Sequence, residues 1–108
     1  MQDTNYIGSV VKILEVPKQK LLNNKILVTE CRAYFPQVKN SRIVYLKFWG
    51  RLANEILNNY KLNDYILIEG YVSLYNKKNS KIKEVNISVL KVYPAFLHYH
   101  RSTNKTLD

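Results

Sequence analysis

Within residues 43–60 the sequence pattern of this chain changes from that of a strand to that of a helix. These residues read IVYLKFWGRLANEILNNY. Before Gly50, the residues are mostly β-branched and aromatic, which is typical of a strand, and Val44, Leu46 and Phe48 would share one of its faces. After Gly50, the apolar residues recur at helical spacing and form one stripe: Leu52, Ala53, Ile56, Leu57 and Tyr60. The sequence therefore predicts a strand over residues 42–49 that leads directly into a single short helix.

Four further segments have the character of strands. Runs rich in β-branched and aromatic residues, bounded by proline, glycine or polar clusters, are typical of strands. They occupy residues 5–14, 25–35, 65–75 and 82–93. The stretch VPKQKLLNN, residues 16–24, is interpreted as a loose basic connection. Gly70, inside the fourth strand, indicates a sharp bend or a close approach of another backbone.

The resulting order predicts an all-β domain with one short helix between the third and fourth strands. Five strands with a helix at this position are the layout of the OB-fold, a five-stranded Greek-key barrel. An open β-sheet with one helix has the same order and remains the alternative. We expect one barrel domain over residues 1–94 and a flexible polar tail over residues 95–108.

The net charge of the chain indicates which classes of binding partner it suits. The chain has 17 lysine and arginine residues against 8 aspartate and glutamate residues, a formal net charge of +9. This predicts an anionic partner: nucleic acid, acidic lipid or an acidic protein. No apolar run approaches the roughly 20 residues of a membrane span, so no membrane partner is expected.

The residues that usually carry catalysis or bind metals are sparse. Cys31 is the single cysteine, and we expect it to be a small buried residue. The two histidines, His98 and His100, lie in the polar tail with no other metal ligand nearby. The pattern favours a binding protein over an enzyme, with no metal and no cofactor.

Several short motifs, taken in order, resemble the single-stranded-DNA-binding protein family of bacteria and organelles. The family's third strand ends in an aromatic, glycine, a basic residue, leucine and alanine, which here are residues 49–53, WGRLA. Tyr60 and the Ile-Glu-Gly at residues 68–70 match later motifs, and Asn5 and Pro17 keep the family's spacing around the first strand. The resemblance covers roughly residues 5–93.

A closer likeness is to the small single-strand-binding-like proteins of cyanobacteria and algal plastid genomes, which carry Phe-Pro after the second strand, here residues 35–36. The abundance of Asn, Lys, Ile and Tyr fits AT-rich codons and such a source. The expected location is the plastid stroma or nucleoid if the gene is organellar, and otherwise the bacterial cytoplasm.

The resemblance implies non-catalytic binding of single-stranded DNA in replication, recombination or repair, by a homodimer or homotetramer. The last residues, HYHRSTNKTLD, contain no acidic tip like the one with which bacterial members recruit replication proteins. Recruitment of that kind is therefore not expected. Two alternatives stay open: RNA binding by the same fold, and a protein-interaction module that docks on a larger complex.

The candidate binding residues follow from what a single strand exposes. Binding without sequence readout needs aromatic platforms for bases and cations for phosphates. Trp49 matches the family's stacking aromatic, and Tyr45 and Lys47 share its face of the strand. The predicted nucleic-acid-binding residues are Trp49, Tyr45, Lys47, Tyr71, Tyr75, Lys77, Lys78, Lys81, Arg51, Tyr34 and Phe35. Core packing or a subunit contact is the alternative for Trp49. Cross-strand pairing or a dimer interface is the alternative for Tyr71 and Tyr75.

Overall fold

The computed structural model describes residues 5–36, 42–76 and 83–95. These residues form six strands and one helix, and the predicted all-β fold with one short helix is confirmed. The elements are β1 (Tyr6–Ile13), β2 (Lys18–Leu22), β3 (Ile26–Tyr34), β4 (Ile43–Trp49), α1 (Arg51–Asn59), β5 (Tyr65–Asn76) and β6 (Lys83–Pro94). Of the predicted tail over residues 95–108, only Ala95 lies within the described residues.

The segment expected to be a loose connection contains strand β2, so that expectation is wrong. Strand β2 pairs antiparallel with β3, from Lys18 opposite Glu30 to Leu22 opposite Ile26. Asn23 adopts a positive φ of 51° in the turn that joins them, a conformation that asparagine tolerates better than most residues. All five residues of β2 are exposed, and the strand therefore has no hydrophobic alternation that would reveal it.

The sheet closes into a barrel. Its strand order is β1-β5-β6-β4-β3-β2, and an additional pairing joins β1 to β3. Lys12 lies opposite Tyr34 and Ile13 opposite Ala33 in this closing pair. Strands β4 and β6 are parallel, and the other pairs are antiparallel. The closure excludes the open-sheet alternative and gives the five-stranded OB-fold barrel, with β2 added at its edge.

The barrel core is filled by alternate residues of the strands. On β4, Val44, Leu46 and Phe48 are fully buried, and the residues between them point outward, as predicted. Helix α1 closes the core from one side with Ile56, while Leu52 and Tyr60 pack against the core from partly buried positions. Cys31 is buried, as expected.

Two glycines shape the strands that carry the candidate site. Gly50 has a φ of 59°, which side chains other than glycine rarely adopt, and it lets β4 turn directly into α1. Gly70 lies at a β-bulge in the β5–β6 pair, and a Cβ there would lie 2.1 Å from the Ser88 carbonyl oxygen. The predicted close backbone approach at Gly70 is confirmed.

Candidate nucleic-acid interface

The outer face of β4 presents the three residues that the alternation predicts there. Tyr45 and Lys47 are half-buried, and Trp49 is 37% exposed at the end of the strand. Trp49 therefore lies outside the barrel core. Of the two alternatives to stacking given for Trp49, packing in the barrel core is excluded, and a subunit contact stays open.

Trp49 is supported from one side by the neighbouring strand. Val28 of β3 lies opposite Trp49 in the register and opposite Lys20 of β2. Val28 is fully buried, yet it is not part of the barrel core cluster. Directly opposed residues have Cβ atoms about 5 Å apart, so the side chains of Trp49 and Lys20 cover Val28 from both sides. The register thus places the indole next to a buried apolar side chain.

An open groove lies on the other side of Trp49. In strand β6, Asn86 lies opposite Tyr45 and Ser88 opposite Lys47. These small polar side chains leave space above the sheet next to the indole. The residues that line the groove are Lys47, Trp49, Ser73, Leu74, Glu84, Asn86 and Ser88. The groove therefore offers one aromatic face, one ammonium group, the Glu84 carboxylate and a floor of hydrogen-bonding side chains.

A second groove continues from the first across Lys47. It is lined by Lys20, Glu30, Tyr45, Leu46, Lys47, Glu84 and Asn86. In this groove the Glu30 carboxylate lies between two lysines, with Oε1 3.3 Å from Lys20 Nζ and Oε2 4.0 Å from Lys47 Nζ. Glu84 also lines this groove, so two lysines and two glutamates set its electrostatic character.

A pair of tyrosines occupies another part of the outer face. Tyr71 of β5 is 40% exposed, and its ring packs edge-to-face against Tyr6 of β1, with centroids 5.1 Å apart. The Tyr6 hydroxyl donates a 2.7 Å hydrogen bond to Glu69 Oε1, and this bond raises the pKa of Tyr6 to about 12. The cross-strand pairing proposed as the alternative for Tyr71 is therefore present. Sequence reasoning missed Tyr6, because only the register shows that it faces Tyr71.

The other predicted residues are distributed over the molecule. Arg51 is exposed at the first position of α1, two residues beyond Trp49. Tyr34 is half-buried at the far end of β3, opposite Ile43. Tyr75 lies in β5 opposite Glu84 in the register. Lys77, Lys78 and Lys81 lie outside the described residues.

Phe35 does not belong to this surface, and its predicted binding role is wrong. Its side chain is 8% exposed and packs in the barrel core. Phe35 follows Cys31 and Ala33 at a spacing of two, and both of these residues point inward from β3. The same alternation carries the phenyl ring into the core just beyond the end of the strand.

Reactive and metal-binding chemistry is limited in the described part of the chain. Burial raises the pKa of the Cys31 thiol to about 12, which keeps it protonated and a poor nucleophile at neutral pH. Among residues 5–36, 42–76 and 83–95, no group of three His, Cys, Asp or Glu side chains could hold a metal ion. The described residues also include no helix with the length and apolar character to cross a membrane.

Comparisons with known proteins find relatives at the level of sequence and of fold. No protein-family model matches the chain. A relative from Trieres chinensis, named "Putative single-stranded DNA-binding protein ycf41", is 35% identical over 102 residues, which are 86% of this chain and 90% of the relative.

Solved structures share the barrel at lower identity. The SSB domain of a Synechococcus sp. protein superposes with a TM-score of 0.72 at 20% identity, covering 86% of this chain and 98% of the domain. A small single-stranded DNA-binding protein from Streptomyces coelicolor gives a TM-score of 0.73 at 11% identity, with 88% and 95% covered. At these identities the likeness shows the fold alone.

Proposed function

The chain belongs to the single-stranded DNA-binding protein family, and from this membership we propose that it binds single-stranded DNA without catalysing a reaction. The observation that carries the proposal is the position of Trp49. It lies outside the core at the edge of an open groove, next to Lys47 and above a polar floor. An exposed aromatic beside a cation is what a strand of unpaired bases requires.

In the proposed complex, one base stacks on the open face of the Trp49 indole. Its neighbouring phosphates lie toward Lys47 and Lys20, whose ammonium groups border the adjoining groove. The hydroxyl and amide groups of Ser73, Asn86 and Ser88 are available to base edges. Stacking of this kind tolerates any base, because every base has a π-face, and it contributes about 1–3 kcal/mol per base.

We propose replication, recombination or repair as the setting, with the plastid nucleoid as the location if the gene is organellar. The family resemblance supports this setting, as does the abundance of Asn, Lys, Ile and Tyr, which AT-rich codons can encode. The same resemblance supports a homodimer or homotetramer. The mass in solution with and without a dT oligomer of about 35 nucleotides, long enough for two or more OB-fold sites, tests the assembly.

Intrinsic fluorescence tests the binding itself, because Trp49 is the single tryptophan in the chain. Titration with oligo-dT is expected to quench its emission, and added salt is expected to restore the emission as the strand dissociates. A matched RNA oligomer in competition distinguishes DNA from RNA as the preferred ligand. Unchanged emission together with no shift in electrophoretic mobility would contradict the proposal.

A further inference from the structure

We propose that Glu30 is a built-in competitor for the phosphates of the bound strand. It holds Lys20 and Lys47 when no strand is present and thereby limits the affinity of the site. The inference rests on the proposed function, because it describes how the same surface is regulated. The ligand chemistry is that of a single-stranded nucleic-acid backbone.

The position of Glu30 is the first support. It lies on the outer face of β3, opposite Lys18 on one side and Lys47 on the other. Its two carboxylate oxygens contact different lysines, at 3.3 Å for Lys20 and 4.0 Å for Lys47. A single carboxylate thus occupies two cations that both line the second groove.

The second support is the comparison with Glu15, a glutamate that lines neither groove. Glu15 pairs with the Arg32 side chain at 3.2 Å, and it also accepts a 2.8 Å hydrogen bond from the Arg32 backbone N–H. Glu15 therefore satisfies a backbone donor and has a structural reason for its position. The contacts that the described residues make with the Glu30 carboxylate are the two lysine contacts.

The fold gains little from the Glu30 contacts. Lys20, Lys47 and Glu30 keep side-chain exposures of 55%, 37% and 31%, and partly exposed ion pairs of this kind contribute little to stability. A phosphate that approaches either lysine, however, meets a carboxylate well inside the Debye length of about 8 Å at physiological salt. The carboxylate must release the lysines and then repels the phosphate. Its effect on binding therefore exceeds its effect on folding.

The test compares E30Q with wild type in binding a labelled oligo-dT by anisotropy. E30Q is expected to bind about threefold to tenfold more tightly, because two weak ion pairs no longer compete with the phosphates. The matched control is Glu55→Gln on helix α1, which makes the same change in net charge away from both grooves. Its affinity is expected to change by less than about twofold. A urea unfolding curve checks that E30Q is folded.

A double-mutant cycle shows whether Glu30 acts on binding through Lys20 and Lys47. In a protein that already carries Lys20→Gln and Lys47→Gln, the gain from E30Q is expected to fall below about twofold. A full gain in that background would show a general field effect and overturn the inference. Equal or weaker binding by E30Q would overturn it while leaving the proposed function intact. If neither wild type nor E30Q binds the oligomer, the inference and the proposed function both fail.

Discussion

Two regions of the outer face expose aromatic rings to a similar extent, but the rings have different neighbouring residues. Trp49 is 37% exposed and borders a groove with a lysine and small polar residues. Tyr71 is 40% exposed, but Tyr6 packs against it, and Glu69 accepts the hydrogen bond from Tyr6. Exposure alone therefore does not identify a stacking platform. The Trp49 ring is free to receive a base, whereas the tyrosines are already partnered by each other.

The two regions are close together, and the β-bulge lies where they meet. Tyr71 and Lys47 lie opposite Ser88 from its two sides, so their Cα atoms are about 10 Å apart across β6. The register shifts between Glu69 and Gly70, and such a bulge increases the local twist of the sheet. The bulge therefore adds twist to the strand pair that links the tyrosine pair to the groove.

The largest expected effect is a loss of stability when the close approach of Gly70 to the Ser88 backbone is blocked. Gly70→Ala places a methyl group 2.1 Å from the Ser88 carbonyl oxygen, so the backbone of β5 or β6 must move. We expect a loss of about 3 kcal/mol in the free energy of unfolding, typical of overpacking in a rigid interior. Urea unfolding measures this loss.

Gly8→Ala is the matched control for that substitution. A Cβ at Gly8 would meet its nearest neighbour, the Glu69 Cγ, at 3.6 Å, which is ordinary contact. Its free energy of unfolding is expected to change by less than about 1 kcal/mol. Equal losses in the two variants would mean that the bulge does not depend on glycine at position 70.

The second effect concerns binding and contrasts the two regions directly. Trp49→Ala is expected to weaken oligo-dT binding by about 1–3 kcal/mol, because one stacked base loses its platform. Tyr71→Ala is expected to cost less than about 1 kcal/mol, since its ring already packs against Tyr6. Anisotropy of a labelled oligomer measures both. A larger loss for Tyr71→Ala would move the proposed site to the tyrosine pair.

The third effect concerns charge within the groove. Lys47→Gln is expected to weaken binding severalfold and to lower the slope of log affinity against log salt by about 0.7, the value for one phosphate contact on a single strand. Lys61→Gln, in the exposed turn after α1, is the control and is expected to leave the slope unchanged. The loss is smaller than for Trp49→Ala, because Glu30 partly neutralises Lys47 in the free protein. An unaltered slope for Lys47→Gln would place the phosphates elsewhere.

Much of this surface could be predicted because it depends on local periodicity. The alternation along β4 separates its buried residues from Tyr45, Lys47 and Trp49 without any knowledge of the partner strands. The roles of Gly50 and Gly70 could also be predicted. Gly50 stands where the strand pattern gives way to the helix pattern, and Gly70 interrupts a run of strand-forming residues. Phe35 could also have been placed correctly, because it has the same parity as Ala33 on β3.

The other features of the site depend on the register between strands, which local sequence patterns do not reveal. Tyr6 becomes Tyr71's partner only through the pairing of β1 with β5. Glu30 becomes the partner of Lys20 and Lys47 through two separate strand pairings. Strand β2 was missed for a related reason, since an exposed edge strand has no buried side to impose a period of two.

The smallest expected effect is a change in stability at alkaline pH. It tests whether the Tyr6–Tyr71 pair has a structural role. The hydrogen bond from Tyr6 to Glu69 raises the Tyr6 pKa to about 12, above the ordinary tyrosine value of 10.0. A raised pKa means that the folded state holds this proton more tightly. The stability that it contributes is fully present below pH 10 and is lost as the pH rises toward 12.

Tyr6→Phe removes this hydrogen bond and keeps the ring against Tyr71. The variant is expected to be slightly less stable than wild type near pH 9, and the difference should disappear near pH 12, because the wild-type phenol then ionises beside the carboxylate. Urea midpoints at the two pH values measure the difference. Tyr71→Phe is the control, because it leaves the hydrogen bond from Tyr6 to Glu69 in place. Oligo-dT affinity at neutral pH should remain within about twofold of wild type. A marked loss of affinity in Tyr6→Phe would mean that the hydroxyl contacts the strand, and the two aromatic regions would then form one binding surface.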